Sequence, residues 1–221
     1  MLDVIVFILL FLIIVNWFQL MSFSNLVVGK KIKTSSIKDE WIHNKVKKKT
    51  GLTLIDITLF HDKKMYGMMA GLPFWPKMIL STGLYESFNK DELEWVVLHE
   101  AFHCVLWHNL QSFIIEMVIL FLGIYFVKTE HIGLLSIIFL AIILGVICIQ
   151  IIRWTTEYIA DKYAIEKMTN PKGVITAQDK FRINYKDNFL NSEKSIFRML
   201  FHWNITFSQR IQIANKRINS K

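Results

Sequence analysis

The sequence predicts an α+β fold, mainly α: a membrane-anchored domain in which a small β-sheet precedes one amphipathic helix, with a transmembrane hairpin inserted between that helix and the next. Three observations carry this. Apolar runs occupy Val4 to Leu20, Phe113 to Val127 and Leu134 to Ile152, the first and third near the length that about 30 Å of hydrocarbon demands. Residues between Leu52 and Thr82 alternate apolar and polar, the period of strands, whereas the stretches around Asn89 and Thr155 carry the wider spacing of helices. In 221 residues, 53 % of them hydrophobic, there is room for one modest domain plus spans.

The first apolar run reads as a retained anchor. Its leading residues, Met1-Leu2-Asp3, carry no positive charge, and no small-x-small site follows at Met21 to Phe23, so the pattern of a cleaved signal peptide is missing. Lys30, Lys31, Lys33, Lys38, Lys45, Lys47, Lys48 and Lys49 come next. Lysines flanking a span mark its cytoplasmic side, which puts residues 22–110 inside the cell, the hairpin at 111–152, and residues 153–221 inside again after the anchor at 1–21. The net charge of +8 follows from the same bias. Nucleic acid is not needed to explain it, and the lysine face is expected to be solvated or to rest on anionic lipid.

Along the cytoplasmic part, Ile37 to Lys49 has the spacing of a short charged helix closed by Thr50-Gly51. Leu52 to Phe60 and Met65 to Leu72, joined by His61-Asp62-Lys63-Lys64, read as a β-hairpin, and Lys77 to Thr82 as a third strand ended by Gly83. Met65 to Leu72 is the candidate edge strand on which an extended peptide could add. Asn89 and Glu92 form a capping pair for a helix expected to run to about Leu110. Thr155 to Met168 is a helix, Asn170-Pro171 starts another, a loop lies near Asn188 to Ser192, and a basic helix spans about Ser208 to Ile218.

The chemistry sits at His99-Glu100-Ala101-Phe102-His103. Two imidazoles four apart on a helix point the same way and can grip one metal ion, while Glu100 is turned about 100° round the axis, suited to reach a water. Zinc accepts imidazole nitrogen, and a catalytic zinc takes three protein ligands and leaves a place for water. The longer three-histidine pattern of another zinc class fails here, because position 109 is Asn, and His108 is expected at the surface near the membrane edge. Glu157 and Asp161, four apart just after the hairpin, offer the third ligand: one carboxylate can bind the metal while the other orients a ligand histidine. Cys104 points away from the metal side and reads as an apolar packer, and no disulfide is expected with Cys148.

Ile79-Leu-Ser-Thr-Gly-Leu84, the stretch from Asp91 to His103, and Glu157-Tyr-Ile-Ala-Asp161 together resemble the integral-membrane zinc metallopeptidases that include bacterial HtpX and the CAAX prenyl proteases. The resemblance implies a zincin-like domain with zinc on His99, His103 and Glu157, Glu100 as base and acid, and Asp161 supporting the ligands. It implies that a late histidine and an Arg-Ile pair assist the oxyanion or the site's architecture; His202 and Arg210-Ile211 match, although Trp203 stands where the family has proline. The expected function is a zinc-dependent endopeptidase acting on membrane-associated or misfolded polypeptides at the cytoplasmic face, its partners a polypeptide substrate and the lipid bilayer. The competing expectation is a catalytically silent, zinc-containing membrane scaffold or regulator; a closed structural site would want a fourth ligand, commonly Cys. Oligomeric state is left open.

Overall fold

The computed structural model describes residues 33–129, 134–184 and 205–220. The described residues divide into two compact units, one within 33–108 and after 153, the other within 109–152. The expected anchor at Val4 to Leu20, the turn at 130–133, the loop at Asn188 to Ser192 and His202 lie outside the described residues.

The first unit holds a four-stranded sheet of β1 (Thr34–Ile37), β2 (Asp56–Phe60), β3 (Gly67–Ala70) and β4 (Lys77–Ser81), in the order β1-β2-β4-β3. The expected hairpin of β2 with β3 does not form. Instead β2 runs parallel to β4, pairing Ile57 with Met78 and Leu59 with Leu80, and the antiparallel partner of β4 on its other side is β3. Burial explains the choice. Ile57, Leu59, Met78 and Leu80 all face the core, so this pairing puts the two most apolar files at the centre, and Gly67-Met-Met-Ala70, which buries Met69 alone, takes the edge.

β1 was not expected, because Thr34-Ser-Ser-Ile37 is short and polar. It pairs with the other side of β2, where the Ser36 hydroxyl bonds to Asp56. Ile37 therefore ends a strand, and helix α1 (Glu40–Thr50) starts later, where the Asp39 side chain accepts the Ile42 N–H and Gly51 closes the far end at φ 80°.

Helix α2 (Thr82–Ser87) leads to α3 (Lys90–Val105). The capping box of Asn89 and Glu92 is present as expected. Glu92 and Glu94, each 1 % exposed, are buried and paired. Lys180 meets Glu92 at 2.6 Å, and Lys45 meets Glu94 at 3.1 Å, with the Thr169 N–H and hydroxyl donating to the same oxygen. These pairs tie α3 to its neighbours, each buried carboxylate meeting a lysine that stays partly open to solvent. The helix stops at Val105 rather than near Leu110, since Trp107 adopts a left-handed φ of 56° that helical continuation forbids.

Helix α5 (Leu134–Lys167) is continuous for 34 residues, about 51 Å, so the expected separate helix at Thr155 to Met168 is its C-terminal part. Helices α6 (Lys172–Asn184) and α7 (Phe207–Asn219) complete this unit, and Val174, Ala177 and Ala214 join the core made by Ile42, Val97 and Ala164. The second unit takes α4 (His108–Thr129) from Asn109 on and the first part of α5, both mostly apolar, with Phe113, Phe121 and Ile147 exposed. Among the described residues, Ile143–Lys167 is long and apolar enough to cross a membrane by length and composition, and Phe113–Tyr125 is a shorter apolar helix.

The edge strand lies hard against α3. A Cβ at Gly67 would sit 3.1 Å from Val96 Cγ1, 3.2 Å from Leu80 Cδ2 and 3.7 Å from Glu100 Cγ. Gly67→Val is therefore expected to push β3 off the helix and cost about 1–3 kcal/mol, read by chemical unfolding in detergent. A variant as stable as the parent would contradict this close approach.

Candidate metal centre

Helix α3 presents His99 and His103 on one face, and α5 brings Glu157 opposite them. Nε2 of His99 lies 3.2 Å from Nε2 of His103, Glu157 Oε1 is 3.2 Å from His103 Nε2, and Glu157 Oε2 is 3.5 Å from His99 Nε2. The expected ligand trio is thus brought together, with its donor atoms within 4.8 Å of one another. Tetrahedral bonds of about 2.1 Å separate neighbouring ligand atoms by roughly 3.4 Å. The triangle has that size.

The outer ring nitrogens are held as well. His99 Nδ1 lies 2.9 Å from Asp161 Oδ1, and Asp161, fully buried, also accepts the Arg210 Nε–H at 2.7 Å. Arg210 reaches Glu157 Oε2 at 3.4 Å and lays its guanidinium over the Trp95 ring. Asp161 and Arg210 therefore stand where the sequence expected supporting residues.

His108 corrects the expectation. It is only 5 % exposed, and its Nδ1 is 2.8 Å from Nδ1 of His103, because the left-handed Trp107 turns the chain back toward the motif. An unbroken helix would have pointed it elsewhere, so no periodicity argument could have found it. Each histidine of the trio thus has an Nδ1 partner and an Nε2 left for the common point, the arrangement usual for metal-ligating imidazoles.

The electrostatics suit a cation. Burial disfavours a charged His99, yet Asp161 and Glu157 outweigh it and hold its pKa well above the ordinary value. Burial likewise opposes ionised Glu157, and the two histidines overcome it, holding the carboxyl well below its usual range. His108 is driven down to about 4 by burial, with His103 adding repulsion, so it stays neutral and able to accept through Nδ1. Two imidazole nitrogens and an ionised carboxylate form a donor set that zinc favours. Glu100, on the β3 side, is pushed up by burial against the pull of His99 and His103 and of the Met69 backbone amide, the direction a general base needs. Cys104 is buried, its thiol pushed up by burial, and takes no part in the trio.

The sequence profile of peptidase family M48 matches residues 38–202. The crystal structure of S. mikatae Ste24p is similar in fold, with a TM-score of 0.61 at 17 % identity, covering 91 % of this chain and 57 % of that one. The chain thus spans a little over half the length of that protein. No curated protein matches it. A family match over most of the chain, with His99, His103 and Glu157 inside it, makes this chain a member of peptidase family M48, a family of metallopeptidases.

Proposed function

We propose that the chain is a membrane-bound zinc metalloendopeptidase that cleaves membrane-associated or misfolded polypeptides at the cytoplasmic face. The observation that carries the reading is the donor triangle of His99, His103 and Glu157, with Glu100 beside it and edge strand β3 along its helix. The apolar runs at 113–127 and 134–152 support a membrane hairpin lying between His103 and Glu157 in the chain, its second run leading within α5 into the ligand-bearing part, and the lysines before Thr50 support a cytoplasmic domain.

His99, His103 and Glu157 would hold zinc. When bound, the ion supplies a Lewis acid and lowers the pKa of a bound water toward about 7. Glu100 takes the proton from the attacking water at its carboxylate and gives it to the leaving amine. Asp161 fixes His99 with Nε2 facing the trio, neutral His108 does the same for His103, and Arg210 holds Asp161 and Glu157 in place. A substrate strand laid along β3 would present its carbonyl near Glu100, main-chain hydrogen bonds giving a grip tolerant of sequence. His202 is proposed to assist the oxyanion.

Metal analysis of detergent-purified protein tests the ligand set. Wild type is expected to hold stoichiometric zinc and His99→Ala and Glu157→Gln to lose it. His108→Phe, which keeps the ring's bulk without the acceptor, is expected to weaken zinc by about 10- to 100-fold. Zinc retained by Glu157→Gln would refute the assignment. Tight zinc with no cleavage of any peptide or membrane-protein substrate would favour a catalytically silent scaffold.

A further inference from the structure

The turn joining β3 to β4, Gly71-Leu-Pro-Phe-Trp-Pro76, turns large apolar side chains away from the core. Leu72 is 41 % exposed, Phe74 70 % and Trp75 63 %. The backbone keeps them there. Gly71 has φ 88°, and a Cβ on it would meet the Trp75 carbonyl oxygen at 2.1 Å, so the turn closes on itself at a residue that only glycine suits. The Trp75 N–H donates to the Leu72 carbonyl at 2.7 Å, and prolines on both sides of the aromatic pair fix φ.

It also has a second half. The Phe74 ring packs against Trp107 with centroids 6.4 Å apart, and Trp107, 39 % exposed, holds a left-handed backbone at φ 56° that a bulky side chain rarely adopts. Strain of this kind persists where the surroundings demand it. Trp107 stands two residues before Asn109, where the apolar unit of the chain begins, and exposed Lys77 follows Pro76. Tryptophans and lysines beside the start of an apolar span are the composition of a membrane–water interface.

We propose that Leu72, Phe74, Trp75 and Trp107 form an interfacial anchor seated in the headgroup layer of the bilayer. The inference rests on the membrane-bound reading above. It follows that the end of β3 is moored at the lipid surface, so a polypeptide emerging from the membrane meets the edge strand before it can diffuse away. A lipid occupant is favoured over a second copy of the chain because the patch adjoins, along the sequence, a segment that exposes Leu110, Phe113, Ile114, Val118, Phe121 and Leu122.

The test uses the full chain in lipid nanodiscs with Cys148→Ser, leaving buried Cys104, whose background labelling is measured in that parent. Single fluorophores are placed by Leu72→Cys, which retains all three aromatics, by Glu86→Cys at an exposed polar site, and by Leu122→Cys in the apolar helix α4. Lipids with nitroxides near the headgroup are expected to quench the label at 72 several-fold more than that at 86, and iodide to quench it several-fold less. If the label at 72 matches that at 86 while the label at 122 is quenched by deep nitroxides, the anchor is refuted and the membrane reading stands. If the label at 122 also escapes deep quenching, both fall. Shielding from iodide without lipid quenching means that protein covers the patch, which refutes the anchor too.

Discussion

Glu100→Gln is expected to keep zinc at the wild-type level while lowering turnover by about 10²- to 10⁴-fold, the usual contribution of a positioned base. The substitution preserves shape beside β3, where the Met69 backbone N–H bonds to the Glu100 side chain and an amide oxygen can still accept it, so folding should survive. What is lost is a carboxylate able to take a proton. Burial raises the Glu100 pKa from its ordinary value, which strengthens it as a base at neutral pH, and an amide has no such capacity. Zinc content and kcat/KM on the same preparation separate the two effects, and an active Glu100→Gln enzyme would overturn the proposed role.

Asp161→Ala should be the most damaging change to the fold of the centre. Asp161 is fully buried between His99 and Arg210, and its removal leaves the largely buried Arg210 guanidinium with a 3.4 Å contact to Glu157 and the face of Trp95. Losing one partner of such a pair costs about 3–5 kcal/mol. The same change frees the His99 ring, so zinc affinity should fall about 10- to 100-fold as well. The sign of the pH dependence follows. Burial opposes the Asp161 charge, but Arg210 and His99 outweigh it and the pKa is lowered, so its stabilisation is complete above about 3.9, the ordinary value, and is lost as pH falls through the folded value. Chemical unfolding at pH 7 with and without a chelator checks both parts. A metal-free Asp161→Ala protein as stable as metal-free wild type would show that Arg210 finds equal compensation elsewhere.

Much of this centre could be read from spacing. An i, i+4 histidine pair and an i, i+4 carboxylate pair each define one helical face, and the faces did meet. Asn89 and Glu92 likewise announced the start of α3. What spacing could not reach was anything decided by non-local packing. The parallel pairing of β2 with β4 follows from which files bury most apolar surface, a comparison that alternation within one strand does not make. β1 exists because β2 has a free side, although Thr34-Ser-Ser-Ile37 has little strand character of its own. That Glu92 and Glu94 would be buried could not be read from spacing, because their partners, Lys180 and Lys45, are distant in sequence. His202 and the first apolar run stay expectations, since they fall outside the described residues.

Five positions along an unbroken α-helix amount to about 500°, so His108 would otherwise sit roughly 140° away from His103 round the axis. The single reversed residue between them cancels that offset, which makes the linker's length as consequential as its composition. One amino acid added or deleted between Cys104 and Trp107 would swing the second imidazole out of reach while leaving every proposed ligand untouched, and relatives sharing the pentapeptide motif need not share this support.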